Sequence, residues 1–343
     1  MRKILCIFGL SSLVLFSACD KDFVVDHSVE ADYNLFFEYL KKDYAYRDFH
    51  PFTMEELRLK YLGEITAKPT QENLAKILLE VQLNELKDPH VYPLEQLDKQ
   101  VYVAVKTPLN LEIKRPLFQE IDIIKQGHFY TYGTVKTHND IGYIYINSFN
   151  SNVGGTSSLG VEEGVLAINT IVQELQKKGV KSLIVDMRSY AGGTNYVPRY
   201  IAQRFLNKKS IYMNEYYPNG STFIKKEWEV EPQGDSGFRT VKIALLSNGC
   251  TCSGGEMFLL AMLQRDNLVH IGSRSLGCSG NVTHKDLSNG WAFSITNSRT
   301  EFPDGTSYFK EGITPSIVVK NDPTYGETTS EDKLIERAII ELL

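Results

Sequence analysis

The chain has 343 residues, of which 42% are hydrophobic and 23% charged, and its formal net charge is −5. That balance is typical of a folded globular protein and excludes a disordered one. An acidic chain offers no basic face to phosphates, so nucleic acid is excluded as a partner.

The first stretch, "MRKILCIFGLSSLVLFSACDKD", has a positive start at Arg2 and Lys3. An apolar core from Ile4 to Phe16 and the small pair Ser17-Ala18 follow. Residues 1–18 read as a signal peptide, because the apolar core is shorter than the roughly 20 residues a spanning helix needs. "FSAC" resembles the lipobox of bacterial lipoproteins, with Phe16 where leucine is usual. That resemblance implies cleavage before Cys19, lipidation of its thiol, and a linker over residues 19–30. The protein would be an exported lipoprotein on the periplasmic or cell-surface face of a bacterial outer membrane, with the lipid as its only membrane contact. Beyond Cys6 and Cys19 the chain has Cys250, Cys252 and Cys278. Three thiols cannot all pair, so this is no disulfide scaffold, although an oxidising compartment permits one bridge from Cys278 to Cys250 or Cys252.

Residues 31–98 read as a helical domain. "ADYNLFFEYLKKDY", "TMEELRLKYL" and "TQENLAKILLEVQLNEL" carry apolar residues at three- and four-residue spacing. The third helix must stop near Asp88, since Pro89 disfavours a helical residue before it. Residues 99–137 form a β-rich lead-in ("VYVAV", "LNLEI", "HFYTYGTV"), too short to hold an added peptide-binding module of about 90 residues.

The chain then alternates. "IGYIYINSF" reads as a strand, "VEEGVLAINTIVQELQKKG" as a helix ended by Gly179, and "KSLIVDMR" as a buried strand. Such a unit predicts parallel strands with a right-handed crossover. "VKIALLS", a helix from Ser253 and "NLVHIG" repeat the pattern. "WAFSITNS", "SIVV" and a helix from Glu331 close the chain. The fold class is α/β with α+β elements.

Between "VKIALL" and its helix stands "SNGCTCSGGEMF". A strand running through a sharp turn into a helix sets Ser253 at the helix N-terminus. There the amides of the following residues, Gly254 first, could serve a developing oxyanion. The same features suit a simple N-cap serine beside a glycine-lined contact. The thiols lack the helix-start position that best lowers a thiol pKa. Three sulphurs without paired spacing fall short of the four ligands a structural zinc wants, so no metal is expected.

Several separated segments resemble, in order, those of the C-terminal-processing (tail-specific) and tricorn-core serine peptidases. They are "LKDPH", "IGYIYINSF", "SLIVDMRSYAGG", "LLSNGCTCSGGE" and "GTSYFKEGITPSIVV". The resemblance implies a ClpP/crotonase-like catalytic domain over residues 99–343 with a mixed sheet, and no separate PDZ module. It makes Ser253 the nucleophile and the Gly192 and Gly254 amides the oxyanion hole. The processing-protease branch has a lysine some two dozen residues after the serine, where this chain has Cys278. The tricorn-like branch, with a histidine base and a glutamate, therefore implies His90 and Glu311. His50, His128, His138, His270 and His284 stand outside the motif, Pro89 occupies a position where tricorn has a serine, and Tyr190 replaces an asparagine. Asp186 and Arg188 read as a structural pair. The function implied is hydrolysis of peptide bonds in peptides or protein tails, without cofactor or metal. A non-catalytic binding protein on the same fold, as in the interphotoreceptor retinoid-binding protein, is the alternative. An acyl hydrolase using the same site is the third reading.

Overall fold

The computed structural model describes residues 28–92, 118–147, 149, 158–190, 192–193, 196–234, 237–319 and 331–343. The signal peptide, Cys19, nearly all of the 19–30 linker, the 98/99 boundary and the segments "VYVAV" and "LNLEI" lie outside these residues.

Three helices come first: α1 (Val29–Asp43), α2 (Met54–Ala67) and α3 (Gln71–Glu80). Ser28, Thr53 and Thr70 cap them through side-chain oxygens, and Thr53 with Glu56 forms a full capping box. The end of α3 widens into a π-helical stretch, Val81–Leu86, and Lys87 then turns left-handed (φ 51°). The helix therefore stops just short of Pro89, as the proline requires. Tyr33, Phe36, Leu40 and Leu78 of this region pack in one apolar cluster with Leu287, Phe293, Ile295 and Phe309 from the far end of the chain. The helical segment and the C-terminal β segments thus share a core.

The strands β1 (Ile121–Gln126), β2 (Tyr130–Val135) and β3 (His138–Ile146) form an antiparallel meander. After α4 (Ser158–Lys177) comes β4 (Ser182–Asp186), parallel to β3 with Ile141 opposite Ser182. Gly179, at φ 79°, lies in the link between them. A short α5 (Tyr196–Ala202) leads to a hairpin, β5 (Ser210–Asn219) and β6 (Thr222–Val230). Next come β7 (Ile243–Ser247), α6 (Gly254–Met262), β8 (Leu268–Gly272) and a second hairpin, β9 (Val282–Asp286) with β10 (Ala292–Thr296). The chain closes with β11 (Arg299–Glu301), β12 (Ile317–Val318) and α7 (Lys333–Leu342).

Seven strands make the main sheet in the order β1-β2-β3-β4-β7-β8-β12. It is mixed: β1 to β3 are antiparallel, while β3/β4, β4/β7, β7/β8 and β8/β12 are parallel. The central runs "SLIVD" and "IALLS" are buried at every position, as parallel strands covered on both faces must be. Alternation divides them. Leu183, Val185, Ile243 and Leu245 enter the core beneath α4, α5 and α6, while Ile184, Ala244 and Leu246 face Leu334 and Ile335 of α7. The βαβ reading and its parallel strands hold. The hairpin β5–β6, which forms a separate three-stranded sheet with β11, was not anticipated.

Candidate active site

The ends of β4 and β7 lie side by side in the sheet, with Asp186 opposite Leu246, and the loops leaving them meet. Asn248 binds the loops together: its Oδ1 accepts from the amides of Ser189 (2.9 Å) and Cys250 (3.1 Å). Thr251 Oγ1 donates to the Met187 carbonyl at 2.9 Å, and the Cys252 amide donates to the Tyr190 carbonyl at 3.0 Å. The turn at Ser253 is therefore fixed against "DMRSYAGG" before the helix begins.

Ser253 has φ 52° and ψ −117°. The N-caps of α1, α2 and α3 are extended, so Ser253 is not an ordinary cap. A non-glycine residue in this conformation is held by its surroundings at a cost of order 1–3 kcal/mol. The clamp is visible at its amide, which donates to the Cys278 carbonyl (3.0 Å) and to Glu256 Oε2 (3.2 Å). Glu256 is wholly buried, and its Oε1 accepts from Ser275 Oγ and the Gly277 amide, both at 2.6 Å. Burial pushes the Glu256 carboxyl up to about 8 against the pull of these donors.

Gly192 faces the serine. A Cβ built on it would lie 3.1 Å from Ser253 Cβ and 3.4 Å from Oγ, and its φ of 107° suits no other residue. Gly254 opens α6, so its amide has no partner within the helix. A Cβ on Gly254 would lie 3.7 Å from Gly192 Cα, so the two glycine backbones run together beside the hydroxyl.

His90 reaches the same place from the helical region. Its ring lies by the backbone of Ser279, next to the Cys278 that holds the Ser253 amide. Burial lowers its pKa, while the charge of Asp88 and the nearby Ser279 backbone raise it. The neutral imidazole is therefore the resting form, as a proton acceptor must be. Nδ1 is buried without a hydrogen-bond partner, and among the described residues none joins the ring to Ser253 Oγ.

The profile of peptidase family S41 matches residues 140–319, more than half of the chain. The chain belongs to peptidase family S41. Among curated family S41 relatives, the carboxy-terminal processing protease CtpA of Bacillus subtilis is 27% identical over 214 residues, 62% of this chain and 42% of that one. A carboxyl-terminal-processing protease of Picosynechococcus is 25% identical over 71% of this chain and 54% of its own. The chain spans about half the length of the curated relatives it matches. The fold is also that of solved structures. A candidate peptidase from Parabacteroides merdae superposes with a TM-score of 0.73 at 22% identity, covering 93% of this chain and 98% of that one. Mature CPAF gives 0.66 at 10% identity, over 87% and 94%.

Within this family S41 domain the acidic partner chosen from sequence needs correcting. Glu311 is 77% exposed and pairs with Arg274 at 3.1 Å. Lys310 and Gly312 are both left-handed, and the turn they make leaves the intervening carboxylate in solvent. The neighbouring segment has a supporting role instead: Ile313 N–H donates to Ser275 Oγ (2.7 Å), which in turn donates to Glu256. The carboxylate that acts on His90 is Asp88. It is buried, its Oδ1 accepts the His90 amide at 2.9 Å, and its Oδ2 accepts from Thr296 Oγ1 at 2.7 Å. It stands two residues before His90 in "DPH", where a short loop turn brings an aspartate back onto the following backbone.

The expected structural pair is present and larger than foreseen. Arg188 is fully buried and binds both Asp186 (2.6 Å) and Asp332 (2.8 Å), the N-cap of α7, while Tyr143 donates to Asp186. Cys250, Cys252 and Cys278 form no disulfide, and burial raises Cys278 well above the ordinary thiol range, which makes it a poor nucleophile. Among the described residues no group of three His, Cys, Asp or Glu could hold a metal, and no helix is long and apolar enough to cross a membrane.

Proposed function

We propose that the protein is a serine peptidase acting on peptides or protein tails. The observation that carries this reading is the conformation of Ser253: raised on a left-handed turn, against Gly192, at a helix N-terminus. Neutral His90 takes the hydroxyl proton as Ser253 Oγ attacks the peptide carbonyl, a step that requires the two side chains to come into hydrogen-bond reach. The Gly254 and Gly192 amides receive the oxyanion. His90 then gives its proton to the leaving amine, and water, activated in the same way, releases the acyl group. Asp88 stabilises the imidazolium through space and holds the His90 backbone; Glu311 takes no part. Cys278 where the processing branch has its lysine supports the tricorn-like assignment.

The test is labelling of the purified protein with a fluorophosphonate probe. Wild type should label, and Ser253→Ala and His90→Ala should not; an unlabelled, folded wild type would overturn the reading. That outcome would favour the second one, a binding protein on the same fold, for which the missing Ser253–His90 hydrogen bond speaks.

The lipobox-like "FSAC" supports export and lipid anchoring through Cys19, on the periplasmic or cell-surface face of a bacterial outer membrane. Radiolabelled palmitate should enter the wild type and not Cys19→Ser.

A further inference from the structure

One helical turn beyond Ser253, Met257 lines a cavity of about 330 Å³ between α5, α6 and the β5–β6 hairpin. The cavity adjoins the nucleophile turn, because Pro198 of α5 lies 3.3 Å from the place a Cβ would take on Gly254, and Arg199 comes next. Four aromatic residues, Tyr196, Tyr212, Tyr217 and Trp228, are among those that line it.

Three charged groups line it: Arg199, Glu215 and Lys226. Glu215 is buried and saturated. Its Oε1 accepts from Asn281 Nδ2 (2.7 Å) and Ser298 Oγ (2.6 Å), and its Oε2 accepts from Trp228 Nε1 (2.7 Å) and the Tyr217 hydroxyl. Those four donors leave the carboxylate no lone pair aimed at a cation. Arg199 is half-buried, its Nε is buried without a hydrogen-bond partner, and among the described residues no carboxylate pairs with it. Lys226 rests on the Trp228 ring, 3.6 Å from its centroid, and among the described residues no carboxylate forms an ion pair with it. Two cations against one saturated anion leave the cavity positive, and a buried guanidinium N–H without an acceptor is costly.

We propose that this cavity receives a carboxylate of the substrate, either an acidic side chain or the free C-terminal carboxylate. Arg199 supplies the fork of donors, and the aromatic walls hold the apolar stem. The inference rests on the peptidase reading, since it makes the cavity a specificity pocket beside the nucleophile.

Binding to the full chain carrying Ser253→Ala tests it without turnover. The probes are N-acetylated Ala/Ser decapeptides carrying a fluorophore, with one glutamate moved through the sequence. Each is made as the free acid and as the C-terminal amide, with glutamine controls. Binding about tenfold tighter for glutamate at one position, whatever the C-terminus, assigns the side chain. The same gain for the free acid alone assigns the α-carboxylate. In either case Arg199→Met should abolish the gain and Arg199→Lys keep part of it. Equal binding of acidic and neutral peptides, no binding of any, or a gain that survives in a folded Arg199→Met overturns the proposal. Fluorophosphonate labelling of the wild type reports separately on the peptidase reading.

Discussion

Asp88 and His90 are joined through backbone and not through the imidazole: the His90 amide donates to Asp88 Oδ1 at 2.9 Å, and Thr296 holds the other oxygen at 2.7 Å. The carboxylate thus fixes the chain beneath the ring while acting on the ring only through space. It also ties the segment that carries His90, just after the N-terminal helices, to β10, the strand that carries Thr296.

Asp88→Asn should lower kcat/KM by about 10- to 100-fold, the effect of one lost charge-assisted interaction. Asp88 raises the His90 pKa, so its neutralisation lets burial lower that pKa further. The acid limb of the pH–rate profile should therefore move to lower pH. A merely structural role would leave the limb in place. Glu311→Gln should stay within about twofold of wild type, as an exposed pair predicts.

Gly192→Ala should suppress fluorophosphonate labelling by about 100-fold, the scale of a damaged oxyanion site. The added methyl falls 3.4 Å from the Ser253 hydroxyl, at a φ alanine adopts only under strain. Thermal melting should show a loss of about 1–2 kcal/mol, so the labelling defect exceeds the folding defect.

Stability should fall as pH rises from about 4.5 to about 8. The folded Glu256 carboxyl titrates near 8, against an ordinary 4.5. Between those values the native state holds a proton the unfolded chain has lost, so each rise in pH favours unfolding. Below about 4.5 and above about 8 this group contributes no slope. Urea midpoints across the range check it, and Glu256→Gln, though less stable, should lose that part of the slope.

Asp332→Ala should cost about 3–5 kcal/mol in urea unfolding, because it strips half the counter-charge from a fully buried guanidinium.

The sheet was legible in the sequence because its information is local. "SLIVD" and "IALLS" are continuous apolar runs bounded by turns, and nothing distant is needed to read them as buried parallel strands. The turn at Ser253 was legible by the same means, but its strand, glycines and helix suited a simple N-cap equally, and only the ordered company of the other segments singled the serine out. Glu311 was not legible, because its direction depends on two left-handed neighbours, and a lysine at 310 gives no sign of a positive φ. Asp88 was in view, but its effect on His90 depends on the fold of the short turn between them and on Thr296, 208 positions away. The β5–β6 hairpin escaped because its alternation is broken by a bulge between Ile211 and Met213. Arg199 reads as an ordinary helix residue; only the cavity beside it gives it meaning.

Arg188 stands two residues past the end of β4 and leads into the loop that carries Gly192, yet one of its two carboxylate partners, Asp332, lies 144 positions further along the chain. Without Asp332 and the helix it caps, the guanidinium has one counter-ion. The loop facing Ser253 is thus anchored through Arg188 to a helix cap far along the chain, so its order depends on that distant segment being folded.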